Sequence, residues 1–279
     1  MKRLAFALIF ALAPLLAKGA PQQDGAIQAI RALNWRHGPA VDHIASKATL
    51  QADSTLVFLG EADSEKFLKL TGNLPDPGYF IVLSPKDNWW ATFSFNPIGY
   101  VKDGGKIDAG TLLKKLKDRD PAENRRRKKL GFAPIHTVGW SVPPHYDRDT
   151  KRLEWGLKLR SGGKIGVDYT VRILGRTGVM NATLVSSPET LSADVRSFKA
   201  VLSGFKFDPG QRYAQFKKGD KVAAYGLAAL ILGGAAAVAT KKGFWAVIAG
   251  ALAAAWKVVA AAVVGVLGWL RALFKKKTA

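Results

Sequence analysis

Residues 222–273 constrain this chain more than any other stretch, because they are almost wholly apolar. Residues 222–240 hold 19 positions without a charge. As a helix that is roughly 28 Å, close to the hydrocarbon thickness of a bilayer. Asp220 and Lys221 bound the run on one side, Lys241 and Lys242 on the other. It predicts a transmembrane helix, since an apolar run of this length without a polar stripe is rare inside a soluble fold. A second apolar segment occupies 244–273. Its Trp245 and Trp269 stand 24 positions apart, about 36 Å on a helix, the separation of two interfacial aromatic belts. Lys257 lies midway, where a lysine costs about 2.5–3.5 kcal/mol.

Two placements of 244–273 are open. Ala246, Gly250, Ala253, Lys257, Ala261, Val264 and Gly268 recur at three- and four-residue steps, a small-residue face that a partner helix can approach. With Lys241-Lys242-Gly243 as the turn, this predicts a two-helix membrane hairpin. In the rival placement Lys257, Arg271 and Lys275 fall within about 40° of one another on a helical wheel, so the segment lies in the interface plane. The basic tail at 274–279 adds Lys276 and Lys277. Lys241, Lys242, Lys257, Arg271, Lys275, Lys276 and Lys277 are thus the expected contacts to anionic lipid. The formal charge of the chain is +21, from 42 basic and 21 acidic residues. From Phe205 onward there are twelve basic and two acidic residues, so nearly half the excess flanks the apolar stretch. That distribution favours a lipid bilayer over nucleic acid as the partner.

The N-terminus has a different character. Met1-Lys2-Arg3 precedes an apolar core over 4–16, too short to span, with small residues Ala17 and Gly19 before a cleavage point. This reads as a secretory signal peptide over 1–19, with an exported domain over 24–216. There is no cysteine, which excludes disulfides, thiolate metal sites and a cysteine nucleophile.

The exported domain reads as α+β, an antiparallel sheet with flanking helices, followed by the C-terminal membrane helices. Short strands are expected at 41–44, 49–50, 56–59, 79–83, 89–95 and 98–101, and short helices at 27–33 and, capped by Ser64, as far as Leu70 with Gly72 as its stop. Asp108 caps a helix to Lys117. Asp120-Pro121-Ala122-Glu123 then looks like a second helix start, with Asp as N-cap and Pro in the first turn. That helix ends in Arg125-Arg126-Arg127-Lys128-Lys129, a solvated helix end or a phosphate- or lipid-binding patch. A strand covers 135–142. In 152–160, Leu153, Trp155, Leu157 and Leu159 alternate with polar residues. After the turn Ser161-Gly162-Gly163, Ile165, Val167, Tyr169, Val171 and Ile173 do the same. With 179–185 this predicts an antiparallel meander with one buried and one wet face. A helix with Leu191, Val195, Phe198 and Leu202 and a strand at 205–207 close the domain.

Little in the chain carries recognisable chemistry. The four histidines His37, His43, His136 and His145 show no zinc spacing, and no glycine-rich phosphate loop follows a strand, so no metal or cofactor is expected. Gly139-Trp140-Ser141-Val142-Pro143 half resembles a nucleophile elbow, with Pro where Gly is needed. His145, Tyr146 and Asp147 cluster in a proline-rich segment read as a loop, where His145 and Asp147 would be the acid–base pair of a hydrolase. Glu154 and Asp168 are expected to approach across the meander as ordinary cross-strand neighbours. Trp89, Trp90, Trp140 and Trp155 are core aromatics or a platform for a sugar or peptide.

Several blocks together are more specific: ALNWRHGPA (32–40), KFLKLTGN (66–73), IGYVKD (98–103), VGWSVPPHYD (138–147), RLEWGLKLRS (152–161) and FDPGQRYAQFKKGDKVAAYGLAAL (207–230). They resemble the bacterial membrane-anchored family known as domain of unknown function 2167, from about Gln28 to the C-terminus. The resemblance implies a signal peptide, an exported domain and C-terminal membrane segments, and it implies no activity. The meander–helix–strand ending is also similar to small α+β sandwiches such as the photosystem extrinsic-protein fold. The expectation is a membrane-anchored protein of the bacterial envelope, at the inner membrane with its main domain outside the cytoplasm. Its domain would serve as a binding or scaffolding module for an envelope partner. The alternatives are an envelope hydrolase and a lipid-organising membrane-stress protein.

Overall fold

Runs rich in β-branched and aromatic residues pair into two antiparallel sheets in the computed structural model, which describes residues 20–233. The large sheet has eight strands. In spatial order they are β1 (Arg36–His37), β4 (Val57–Leu59), β5 (Tyr79–Ser84), β6 (Trp89–Asn96), β10 (Val179–Ser186), β9 (Lys164–Leu174), β8 (Arg152–Ser161) and β7 (His136–Asp147). A small sheet joins β11 (Phe205–Phe207), β3 (Ala48–Ala52) and β2 (Ala40–Ile44). The helices are α1 (Ala20–Arg31), α2 (Glu61–Leu70), α3 (Ala109–Lys129), α4 (Leu191–Ser203) and α5 (Leu227–Ile231). The α+β class with an antiparallel sheet and flanking helices is as the sequence predicts.

Both faces of the large sheet are covered. One face packs on α4 and the small sheet. There Phe58, Val82, Ala91, Phe93, Val171, Ala182 and Leu184 bury against Ile44, Leu50, Phe198 and Leu202. Trp89 stacks edge-on to Phe198 in the same core and donates its indole N–H to Ser197 Oγ at 3.2 Å. The other face meets α1 and α2 at its β4–β6 end, where Ile30, Phe67 and Leu68 cover Val57, Leu59, Ile81, Leu83 and Trp90. Helix α3 lies along β7 on that same side. Trp140 donates its indole N–H to the Ala109 carbonyl at 3.0 Å, and Asn124 exchanges two hydrogen bonds with the Ile135 backbone.

Several expectations do not hold. Residues 109–129 form one helix, not two. Asp120 is no N-cap, because the Thr137 amide and hydroxyl on β7 occupy its carboxylate at 2.7 and 2.8 Å. Pro121 forfeits one helical hydrogen bond, and those ties to β7 hold both halves in line. Asp108 does cap this helix, accepting from the Thr111 amide at 3.0 Å. The helix over 61–70 is capped by Gly60, while Ser64 sits inside it and donates to the Leu59 carbonyl. Residues 98–101 make no strand beyond a single bridge from Tyr100 to Val222. That bridge also interrupts the predicted helix over 222–240: residues 222–226 are not helical, α5 covers only Leu227–Ile231, and a turn follows at 232–233. Among the described residues no helix is long and apolar enough to cross a membrane. The remainder of 222–240 beyond Gly233, the signal peptide at 1–19, the segment 244–273 and the tail 274–279 lie outside the described residues. So do Lys241, Lys242, Lys257, Arg271, Lys275, Lys276 and Lys277. The chain divides into units 1–231 and 232–279, and both sheets with their helices belong to the first.

The meander also differs from expectation. Leu153, Trp155 and Leu157 of β8 lie opposite Arg172, Thr170 and Asp168 of β9, not opposite its apolar row. Cross-strand partners share a face, so the apolar rows of β8 and β9 point to opposite sides of the sheet. There is no single wet face. Each side carries polar residues of one strand among apolar residues of the next.

Candidate binding groove on the large sheet

The strand registers place three rows across the face that α2 and α3 share. The first runs Tyr79, Ser94, Asn181, Arg172, Leu153 and Tyr146. The second runs Ile81, Thr92, Thr183, Thr170 and Trp155. The third runs Leu83, Trp90, Val185, Asp168, Leu157 and Trp140. Each row has apolar or aromatic residues towards its ends and polar ones near its middle. The polar residues near the middle belong to neither apolar cluster. Ser94, Asn181, Arg172, Thr92, Thr183 and Asp168 are all half-buried. These rows form a polar strip across β6, β10, β9 and β8, the floor of the candidate groove, with α2 packed on the β4–β6 end and α3 along β7.

Two charges in this groove stand out. The Arg172 guanidinium lies 5.5 Å from the Trp155 ring centre, and among the described residues its Nε is buried without a hydrogen-bond partner and no carboxylate pairs with it. Burial pushes its pKa down to about 10, with Tyr79 and Tyr225 acting weakly the other way. Asp168 likewise forms no hydrogen bond or ion pair among the described residues, and burial alone raises its carboxyl to about 6. A desolvated charge without a partner costs free energy. The neutral groups around them are better satisfied: Thr170 and Thr183 share a hydrogen bond at 3.1 Å, and Asn181 donates to Ser94 Oγ at 3.2 Å.

The opposite face shows what a satisfied buried charge looks like. Glu154 is 4% exposed. Its Oε2 accepts from Tyr169 Oη at 2.5 Å and from Lys199 Nζ at 2.7 Å, with His145 Nε2 3.6 Å away. Burial raises its pKa, but the bonds from Lys199 and Tyr169 outweigh that and hold it below the ordinary range. The expected approach of Glu154 to Asp168 is therefore wrong, because the two carboxylates sit on opposite faces. His145, Tyr146 and Asp147 are not in a loop; they end strand β7. His145 meets Glu154 and is exposed. Asp147 is engaged by the Asp149 amide and by Thr150 in the adjoining turn. Tyr146 faces the other way and donates to Asp103, which also binds Lys151. Ser141 lies mid-strand, so the strand-to-helix turn of a nucleophile elbow is missing around it.

The basic helix end is a mixture. Arg127 is buried, donating to the Ala133 and Gly72 carbonyls at 2.6 and 2.8 Å, and Arg126 pairs with Asp76. Arg125, Lys128 and Lys129 remain exposed. Of the tryptophans, Trp89 is core, Trp90 packs under α2, and Trp140 and Trp155 line the groove. Among the described residues no three acidic or histidine side chains gather as a metal site. Arg172 and the Thr170–Thr183 pair carry no signal of their own in the sequence. The feature that locates them is the hairpin register.

Residues 36–267 match the family described as protein of unknown function (DUF2167), which is more than half of the chain, so the chain belongs to that family. No curated protein matches. Among solved structures, the solution structure of cyanobacterial PsbP (CyanoP) from Synechocystis sp. PCC 6803 is similar at 8% identity. That match covers 63% of this chain and 92% of that one with a TM-score of 0.36, a likeness too loose to carry an argument.

Proposed function

We propose that this DUF2167 protein is an exported binding module, tethered to the bacterial inner membrane by its C-terminal apolar stretch, that seats its ligand in the groove of the large sheet. The observation that carries this reading is Arg172, a half-buried cation with an orphaned Nε and no acceptor among the described residues. Buried charges such as Glu154 and Arg127 are met by a counter-charge or by backbone carbonyls, whereas Arg172 makes no hydrogen bond among the described residues. A charge that the fold leaves bare is explained by a ligand that pairs with it. The secretory pattern at 1–19 and the apolar run after Leu227 support the placement. Tyr225 lies close enough to Arg172 to influence its charge. The partner in this reading is an envelope component; anionic lipid contacts the basic residues that flank the apolar stretch.

The test compares the empty protein with an Arg172→Met variant, which keeps packing against Trp155 and removes the charge. Relief of desolvation, less the lost cation–π contact, should stabilise the variant by about 1–3 kcal/mol. A residue kept for the fold gives the opposite sign. A clear loss of stability in Arg172→Met would overturn the binding reading.

A further inference from the structure

Asp168 and Arg172 stand four positions apart on β9 and on the same side of the sheet, about 13 Å from Cα to Cα at the rise of a strand. Neither has a hydrogen-bond or ion-pair partner among the described residues, and at that spacing they do not pair with each other. Between them lies the second row, with the hydroxyls of Thr170, Thr183 and Thr92. An anion at Arg172 leaves Asp168 bare, and a cation at Asp168 leaves Arg172 bare. One ligand satisfies both only if it carries both charges at its two ends.

We propose that the groove takes a short extended peptide of three to four residues, its free carboxylate on Arg172 and its free amine on Asp168. The proposal rests on the groove being the binding site. A planar guanidinium matches a carboxylate through two parallel hydrogen bonds, and Trp155 beneath it fixes the plane of that fork. An ionised aspartate accepts only, which suits an ammonium group. Three to four extended residues span about 10–13 Å, the separation of the two charges. Threonine hydroxyls both donate and accept; Thr170 is buried and bonded to Thr183, so the half-buried Thr92 and Thr183 serve peptide N–H and C=O groups and select for length and free ends rather than for sequence.

The experiment is calorimetric titration of the full chain in detergent micelles with tetra-alanine, its N-acetylated form and its C-terminal amide. Tetra-alanine should bind, and each cap should weaken binding at least tenfold. Arg172→Gln should abolish the penalty of amidation and keep that of acetylation; Asp168→Asn should do the reverse. Unfolding midpoints at or above that of the wild type show that both variants are folded. Equal binding of free and capped peptides, or no binding of any, overturns the proposal. If peptides fail while inorganic phosphate binds in an Arg172-dependent way, the peptide is wrong and the binding groove stands. If Arg172→Met destabilises the empty chain, the groove reading itself falls.

Discussion

Replacing Asp168 by asparagine should make the protein more stable at neutral pH and leave it unchanged in acid. The side chain keeps its shape and loses its charge. Burial lifts the folded pKa from 3.8 to about 6 with no partner pulling it back. At roughly 1.4 kcal/mol per unit, the ionised carboxylate costs the fold about 3 kcal/mol. This is an upper bound, since Asp168 is half-buried and retains some water. Between pH 4 and 6 the folded chain binds more protons at this site than the unfolded chain, so stability falls as pH rises. The cost is absent below the unfolded pKa and complete above about pH 6. Carboxylates with depressed pKa values, such as Glu154, Asp103 and Asp220, push the other way over the acid range. For that reason the quantity to measure is the difference between variant and wild type, in which those groups cancel. Urea unfolding of the full chain from pH 4 to pH 8 gives it directly. We expect a difference near zero at pH 4 that grows to as much as about 3 kcal/mol at pH 7.5, or roughly 6–12 °C in melting temperature. A constant difference across that range, or a less stable variant at pH 7.5, would mean that Asp168 has a partner in the fold and would refute the reasoning.

Glu154→Gln should destabilise the chain by about 1–3 kcal/mol at pH 7, because the Tyr169 hydroxyl and the exposed Lys199 ammonium lose their charged acceptor; as Glu154 has a depressed pKa, the loss should shrink as pH falls below about 4.5, which parallel unfolding curves would show. Arg176 grips Asp220 through two hydrogen bonds of 2.7 Å, and the Ala223 amide donates to the Tyr100 carbonyl at 2.8 Å. Asp220→Ala should therefore speed hydrogen exchange at Ala223 without lowering the global melting temperature, and unchanged exchange would show that the bridge alone holds this segment. Because the chain has no cysteine, single cysteines at Ser161 and Thr278 can be labelled in intact cells with an impermeant thiol reagent. Labelling at both is the expected result for an exported domain with a membrane hairpin, labelling at 161 alone indicates one crossing, and labelling of neither before lysis removes the export reading.

Local pattern made most of the elements legible. The β-branched and aromatic runs at Tyr79–Ser84, Trp89–Asn96 and Val179–Ser186 read as strands, and the apolar spacing of Leu191, Val195, Phe198 and Leu202 reads as a helix. What pattern could not give was tertiary. Asp120-Pro121 carries a good helix-start signal, and β7 overrides it by occupying the Asp120 side chain. Pro143 and Pro144 read as a loop, yet β7 passes through them at the sheet edge, where two missing amides cost little; irregular pairing marks the place. Val222 belongs by composition to the apolar stretch and by structure to a bridge with Tyr100.

The groove was hidden by one residue of turn length. Read as a three-residue loop, Ser161-Gly162-Gly163 places the apolar rows of β8 and β9 on one face, leaving Asp168, Thr170 and Arg172 in water. In the structure Ser161 pairs with Lys164, and the loop is two glycines, both at positive φ, +54° and +77°. That is the left-handed conformation a tight two-residue hairpin requires and glycine supplies. Odd positions of β8 then face even positions of β9, and every side chain of one strand changes sides relative to the other. Asp168 and Arg172 are thereby carried from a solvated surface into a half-covered groove. Their bareness is a consequence of register, and so is the spacing that a two-ended ligand would have to match. Lengthening the turn by one glycine would take Lys158 and Arg160 off Val167 and Ile165 and set them beside the polar row of β9, but either Leu153 and Trp155 or Val167 and Val171 would then have to leave the face on which they are buried, a cost that pins the register and keeps the two charges where they are.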